Sequence, residues 1–417
     1  MEIQFLGGAS EVGRSGFLIK DSQNILLDYG IKPEKKVATP LSPSKVDALI
    51  ISHAHLDHCG NAPYLLKYFS LPSFGTDPTI DLAELLIKDS IKLNKRNHTG
   101  LRYSGRELRI FEKKYIPYKY HEKIDFGNYE FEFFDAGHIA GSAIVEIEKK
   151  STGKKLVYTG DFKIAPQYLH YGAEIVRGDI LIIESTYANT VHPNREERIK
   201  RLIEEINETI ENGGTVLLPV FAVGRAQELL IALYKNRLSN ITFIDGMAKA
   251  ATERILRHGE YISSSQELYR ASMSVRWIER GIERETALNG GNIILTTAGM
   301  LNGGPALNYI TRLNQESKII LTGYQVEGTN GRNLLEGKPI EVNGRKVKIN
   351  TPVSYYDLSA HAGQDDLHEY IKKSNPETVI CIHGEERNTN MLAEWVREEM
   401  EIKAYAPKVG ESIKIDF

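Results

Sequence analysis

The feature that most constrains this chain is His53-Ala-His55-Leu-Asp57-His58, which follows the apolar run Leu49-Ile-Ile-Ser52. Four side chains able to ligate a metal fall within six residues. Val46–Ser52 reads as a buried strand, and Asn61–Tyr68 reads as the start of a helix. The motif therefore sits on a loop leaving a strand, where α/β folds place their ligands. His53 and His55 are two apart on extended backbone, so both can point to one side. Asp57 and His58 come at the turn and point elsewhere. One loop can thus serve two neighbouring metals, and imidazole with carboxylate is the usual ligand set for zinc.

At 417 residues the chain is long enough for two domains, and 41% hydrophobic residues suffice for sizeable cores. The net charge of −3 excludes a broad positive field, so nucleic acid would need a local basic cleft. Two cysteines, Cys59 and Cys381, do not make a disulfide framework and are expected as buried packing residues. No apolar run reaches membrane-spanning length and no signal peptide is apparent, so a soluble, cytoplasmic protein without membrane contact is expected.

Strands are expected at Glu2–Leu6, Gly16–Lys20 and Asn24–Asp28, with Gly7–Ser15 as a hairpin turn. Asp28 can orient the metal loop from behind. A helix is expected over 79–96. The basic, aromatic stretch 96–123 reads as a solvated surface segment, with nucleic-acid contact as the alternative. Strand Tyr129–Asp135 leads to His138, strand Lys155–Thr159 to Asp161, and strand Ile180–Ile183 to Glu184. His138 can complete the first metal's ligands, and Asp161 can bridge two metals. Helices and strands then alternate from Arg195 to Thr322, which reads as a second α/β domain. The metal-site pattern resumes at His361, and strand Thr378–Ile382 ends in His383. Six of the 12 histidines occupy such strand-end turns, more than core packing explains. The second metal would take Asp57, His58, His383 and the shared Asp161. That leaves His361 free as a general acid, with Glu184 as its orienting partner.

These residues resemble the metallo-β-lactamase superfamily. Glu184, Leu-Ser-Ala-His361-Ala and Ile-His383-Gly-Glu are similar to the extra motifs of its β-CASP ribonuclease branch. Further matches lie at Gly7–Ser15, Pro219–Glu228 and Thr322–Thr329. The resemblance implies an α/β chain: a metallo-β-lactamase αβ/βα sandwich with an inserted α/β β-CASP domain. It divides residues 1–187 and 351–417, as the two parts of the sandwich, from an insert over 188–350. His383 and Ser-Ala-His361 resemble the cleavage-and-polyadenylation (CPSF-like) group, in its short archaeal and bacterial members without KH domains. The implied function is a ribonuclease with two zinc ions per subunit, cutting single-stranded RNA internally in RNA processing or decay, with 5′→3′ exonuclease activity as a further expectation. Asp57, Glu184 and His361 are the implied catalytic residues; His53, His55, Asp57, His58, His138, Asp161 and His383 are the implied metal ligands. Ser185, Arg225, Thr329, Arg332 and Ser359 are candidates for RNA contact. A homodimer and partnership with other RNA-processing proteins are further expectations. The competing readings are a small-molecule metallohydrolase and a catalytically inactive RNA-binding scaffold. The insert and His361 argue against the first, and the filled ligand positions against the second.

Overall fold

The computed structural model describes residues 1–33 and 36–417. They form two compact units. The first comprises Met1–Pro166, Tyr171–Val191 and His361–Phe417, and the second comprises Gln167–His170 and His192–Ala360.

The first unit is built on two seven-stranded sheets. One has the order Ser412–Lys414, Glu2–Gly7, Gly16–Lys20, Asn24–Leu27, Ala48–Ile50, Ser73–Gly75, Tyr115–Pro117. The other has the order Lys403–Tyr405, Thr378–Ile382, Ile180–Glu184, Lys155–Tyr158, Ala143–Lys149, Tyr129–Asp135, Ile124–Phe126. Strand period decides the packing. Tyr129, Phe131 and Phe133 alternate inward and meet Phe5, Phe17, Ile25 and Ile50 of the facing sheet in one core. Strands Ile180–Glu184 and Thr378–Ile382 are buried on both faces, so their apolar runs are continuous. Ile180, Ile182, Ile380 and Ile382 face the inter-sheet core. Leu181, Ile183, Val379 and Cys381 face helices Gln364–Ser374 and Glu386–Met400, which contribute Leu367, Tyr370, Ile371, Leu392 and Val396. Each such aliphatic side chain contributes about 1.5–3 kcal/mol by burial. Cys59 and Cys381 are both free and buried.

The second unit is a six-stranded sheet in the order Arg276–Trp277, Thr242–Asp245, Ile293–Thr296, Val216–Pro219, Lys318–Leu321, Val353–Tyr355. Every pairing in it is parallel, so each connection must cross over, mostly through helices. Helix Arg195–Glu211 turns Ile199, Leu202, Ile203 and Ile206 inward, the 3.6-residue stripe visible in its sequence.

Several elements escape the sequence reading. Strands Ser73–Gly75, Tyr115–Pro117 and Ile124–Phe126 and the hairpin Ile340–Val342/Arg345–Val347 are three residues each, too short to show alternation. The segment Asn61–Tyr68, expected to start a helix, holds a single turn, Ala62–Leu65, and another turn, Leu56–Cys59, lies within the motif. Among the described residues, no helix is long and apolar enough to cross a membrane.

Candidate metal centre

The His53–His58 loop leaves strand Ala48–Ile50 and is clamped from behind by the end of the neighbouring strand. Tyr29 N–H donates to His58 O (2.7 Å), Ile31 N–H to Leu56 O (2.8 Å), and Ser15 N–H to Asp57 O (2.8 Å). The approach is so close that a Cβ at position 30 would stand 1.8 Å from Asp57 O, so only glycine fits there. One helical turn, Leu56–Cys59, then carries Asp57 and His58, and contrary to the expectation that His58 points elsewhere its ring centroid lies 4.1 Å from that of His53.

His53 Nε2 and His138 Nε2 lie 3.2 and 3.1 Å from His55 Nδ1. Asp161 Oδ2 lies 3.5 Å from His53 Nε2 and 3.9 Å from His138 Nε2. Ligand atoms about 2.0–2.1 Å from a tetrahedral zinc would be separated by roughly 3.3 Å, close to these spacings. Burial and the neighbouring imidazoles push His53 well below its ordinary pKa despite the Asp161 carboxylate. Burial likewise lowers His55, against the pull of Asp57 and Asp161. Both shifts favour the neutral form, the state that ligates a metal. Ser52 gives its hydroxyl proton to Asp28 (2.7 Å), which leaves its oxygen to accept from His53 Nδ1 (3.0 Å). That tautomer turns the bare Nε2 toward the cluster.

On the other side of Asp161, His58 Nε2 lies 3.3 Å from Asp161 Oδ2 and His383 Nδ1 3.0 Å from Asp161 Oδ1. His383 Nε2 lies 3.5 Å from Asp57 Oδ2. His58 Nε2 and His383 Nε2 are buried, with no hydrogen bond of acceptable geometry among the described residues. Burial opposes charge on His58, yet Asp161 and Asp28 hold its pKa well above the usual imidazole value. His383 is pushed up to about 10 in the same way, against burial, by Asp161 and Asp57. Burial also opposes charge on Asp161, but His383, His58 and His361 keep its carboxyl well below the usual range. Such crowded carboxylates need a cation, which protonated imidazoles or metal ions can supply. The ligand atoms of His53, His55, His138 and Asp161 lie within 4.8 Å of one another, as do those of Asp57, His58 and His383. This donor set fits a metal site.

Asp28 supports both halves. Its buried carboxylate accepts from Ser52 N (2.7 Å), Ser52 Oγ (2.7 Å), Tyr158 Oη (2.6 Å) and His58 Nδ1 (2.7 Å). The residue holds φ at 56°, a left-handed conformation that Asp tolerates better than most. Sequence reasoning identified Asp28 but missed Ser52 and Tyr158. It also missed Lys163, whose Nζ donates to Asp366 Oδ2 (2.7 Å) and ties the Asp161 turn to the helix that follows His361.

Glu184 ends its strand in the core, and its Oε1 accepts from Phe162 N (3.0 Å). His361 Nδ1 lies 3.0 Å from Glu184 Oε2 and 3.9 Å from Asp161 Oδ2. The His361 side chain is 20% exposed, against 0% for Glu184 and 2% for Asp161, so one side of its ring meets solvent. Burial opposes its charge, but Glu184 and Asp161 raise its pKa above the usual imidazole value. The turn is fixed by a parallel bridge between Tyr187 and Gly363 and by Gln364 N–H donating to Thr190 O (2.9 Å).

The candidates for RNA contact are divided between the two units. Ser185 is fully buried in the first unit. In the second unit, Arg225 is buried at the start of helix Arg225–Lys235, and Thr329 Oγ1 accepts from Arg332 N (3.3 Å) as a helix cap. Arg332 pairs with Glu336 (2.6 Å), and Ser359 N–H donates to Asp357 Oδ1 (3.0 Å).

Comparison with known proteins accounts for most of the chain. Residues 11–173 match the metallo-beta-lactamase superfamily, 226–334 the beta-Casp domain, and 346–407 the Zn-dependent metallo-hydrolase RNA specificity domain. A probable RNase, MJ4, of Methanocaldococcus jannaschii is 40% identical, with 100% of each chain covered. RNase aCSPSF2 of Saccharolobus solfataricus is 32% identical over 99% of this chain and 85% of its own. Transcription termination factor FttA of M. jannaschii is 34% identical over 100% of this chain and 72% of its own. A protein of unknown function from Enterococcus faecalis V583 shares the fold, with a TM-score of 0.64 at 15% identity over 99% of both chains. With a full-length relative at this identity and all three domains in order, the chain belongs to the metallo-β-lactamase superfamily, in the branch that carries a β-CASP domain.

Proposed function

We propose that this protein is a zinc-dependent ribonuclease that hydrolyses phosphodiester bonds of single-stranded RNA. The observation that carries the reading is the convergence of two ligand clusters on Asp161, with the partly exposed His361 paired to the buried Glu184 beside them. The relatives named as RNases, and the match to an RNA specificity domain, support RNA as the substrate. His53, His55 and His138 would hold one zinc, Asp57, His58 and His383 a second, and Asp161 both. When bound, the ions would lower the pKa of a water toward neutrality and offset phosphoryl charge.

The chain's own residues do the rest. Asp28 and Ser52 fix the tautomers of His58 and His53, so the ligand nitrogens need no reorientation. Glu184 orients His361 through Nδ1 and favours its protonated form, which can give a proton to the leaving ribose oxygen. Phe162 N–H holds Glu184 in place, so His361 turns little as it loses the proton. Internal cleavage with some 5′→3′ trimming, a homodimer, other RNA-processing partners and a cytoplasmic location belong to the same reading.

The test is cleavage of an internally labelled single-stranded RNA bearing either a 5′-phosphate or a 5′-hydroxyl, with and without chelator. Internal fragments that vanish with chelator and ignore the 5′ end are expected. Mononucleotides released only from accessible 5′ ends would make the enzyme an exonuclease. No cleavage by protein carrying two zincs would overturn the reading.

A further inference from the structure

The basic, aromatic stretch 96–123 is divided by the fold. Tyr103 and Tyr115 turn inward, where their hydroxyls donate to Gly60 O and Thr76 O. Arg102 stays exposed and joins a different group, on the segment just after the His53–His58 loop. There Tyr68 is 62% exposed, so its ring is open to a stacking partner. Tyr64 stands edge-on to it, with centroids 5.2 Å apart at 69°, and Lys67 Nζ lies 5.6 Å from the Tyr68 centroid. Tyr68 and Arg102 lower the pKa of the Tyr64 phenol, so Arg102 lies near that ring. The neighbouring Glu107 carboxylate accepts from Ser104 N (2.9 Å) and Oγ (2.7 Å) and stays charged beside Lys67, so Lys67 and Arg102 together leave the group with one net positive charge.

We propose that Tyr64, Lys67, Tyr68 and Arg102 form a platform for single-stranded RNA, on which a base stacks on Tyr68 while the two cations meet flanking phosphates. The nature of the ligand rests on the ribonuclease reading; the platform itself rests on the exposed ring and its cations. Every base has a π-face, so an exposed ring gives sequence-tolerant binding, and edge-on support by Tyr64 limits the freedom the ring must lose. The platform is also tied to the catalytic loop. Tyr64 N–H donates to Asn61 O (3.0 Å), Asn61 N–H to Tyr29 O (2.8 Å), and Tyr29 N–H to His58 O (2.7 Å). RNA held there would be held by the segment that also carries Asp57 and His58, outside the ligand clusters.

Fluorescence anisotropy of a labelled 20-nucleotide single-stranded RNA, in chelator so that nothing is cut, tests this. Tyr68→Ala should weaken binding about fivefold or more, whereas Tyr68→Phe, which keeps the ring, should bind like the wild type. Arg102→Ala should weaken binding and reduce the salt slope by about one. Zinc content should be unchanged in all three. Equal binding by wild type, Tyr68→Ala and Arg102→Ala would overturn the platform, as would a Tyr68→Phe variant as weak as Tyr68→Ala. The two readings fail separately. A wild type that binds through Tyr68 but never cuts RNA sinks the nuclease and leaves the platform. One that cuts RNA, with binding and KM unmoved by either alanine, sinks the platform alone.

Discussion

Asp28→Asn is the substitution whose outcome can be worked furthest from the structure. The change is nearly isosteric, and Asn tolerates the φ of 56° at least as well as Asp, so backbone strain is not the cause of any effect. The carboxylate accepts four hydrogen bonds, three at Oδ2 and one at Oδ1. In its better orientation the amide oxygen takes the Oδ2 place and keeps Ser52 Oγ, Tyr158 and His58. The new amide nitrogen then faces Ser52 N–H, donor against donor, at a site from which water is excluded. Losing one charge-assisted bond costs about 1.5–3 kcal/mol, and stranding a buried donor about 1–3 kcal/mol more. Metal-free protein should therefore lose roughly 3 kcal/mol or more in urea denaturation. Loss of the charge also weakens the hold on His58 Nδ1. Zinc affinity at the second cluster should fall about 10–100-fold, with a smaller change at the first, which feels Asp28 only through Ser52. Zinc titration against a competing chelator reads both sites. Denaturation midpoints and both affinities equal to those of wild type would refute the argument.

Asp161→Ala removes the group shared by both clusters and should abolish cleavage and lower zinc content in elemental analysis, while circular dichroism stays near wild type. His361→Ala should slow kcat about 10²–10⁴-fold with zinc content unchanged; loss of zinc as well would make His361 a ligand rather than the acid. Gly30→Ala should prevent soluble expression or sharply lower Tm, because its Cβ would collide with Asp57 O at 1.8 Å. His170 gives a pH prediction far from the ligands. Burial pushes it down to about 4, against the carboxylate of Glu228, and neither ring nitrogen has a hydrogen-bond partner among the described residues. The unfolded chain therefore binds more protons between pH 6.5 and 4, so stability is full above 6.5 and falls by up to about 3 kcal/mol on acidification to 4. Urea titrations from pH 7 to 4 should show that loss in the wild type and a smaller one in His170→Leu.

The candidate centre was legible because its residues sit at strand ends. An apolar run fixes the strand, and the first polar residues after it must emerge at the sheet's edge. His53, His138, Asp161, Glu184 and His383 all follow that rule, and the structure brings them together. What surrounds them was not legible, for a related reason. Ser52, Tyr158 and Lys163 look like ordinary strand or turn residues, and only their partners give them meaning. Tyr158 meets Asp28 across 130 residues, and Lys163 meets Asp366 across 203. No local periodicity encodes such a pairing.

Glu228 shows the same limit in the second unit. It closes the motif Pro219–Glu228, a position on an apolar helix where a carboxylate invites a functional reading. The structure spends it on architecture. Its oxygens accept from Leu169 N (2.6 Å), Tyr168 N (3.2 Å) and Arg195 Nη2 (2.7 Å). Ser263 Oγ, in the same unit, donates to Tyr168 O (3.2 Å). These bonds explain why Gln167–His170, a piece of chain between strands of the first unit, is counted with the second. A buried carboxylate holding two backbone N–H groups and a guanidinium is fully compensated, and burial does not lift its pKa: Arg195, His170 and Arg225 keep it below the usual value. The same residue type therefore divides by its partners. Glu184 faces a partly exposed imidazole, the arrangement the proposed proton transfer would use, whereas Glu228 faces donors that never give up their protons and can only hold a loop in place.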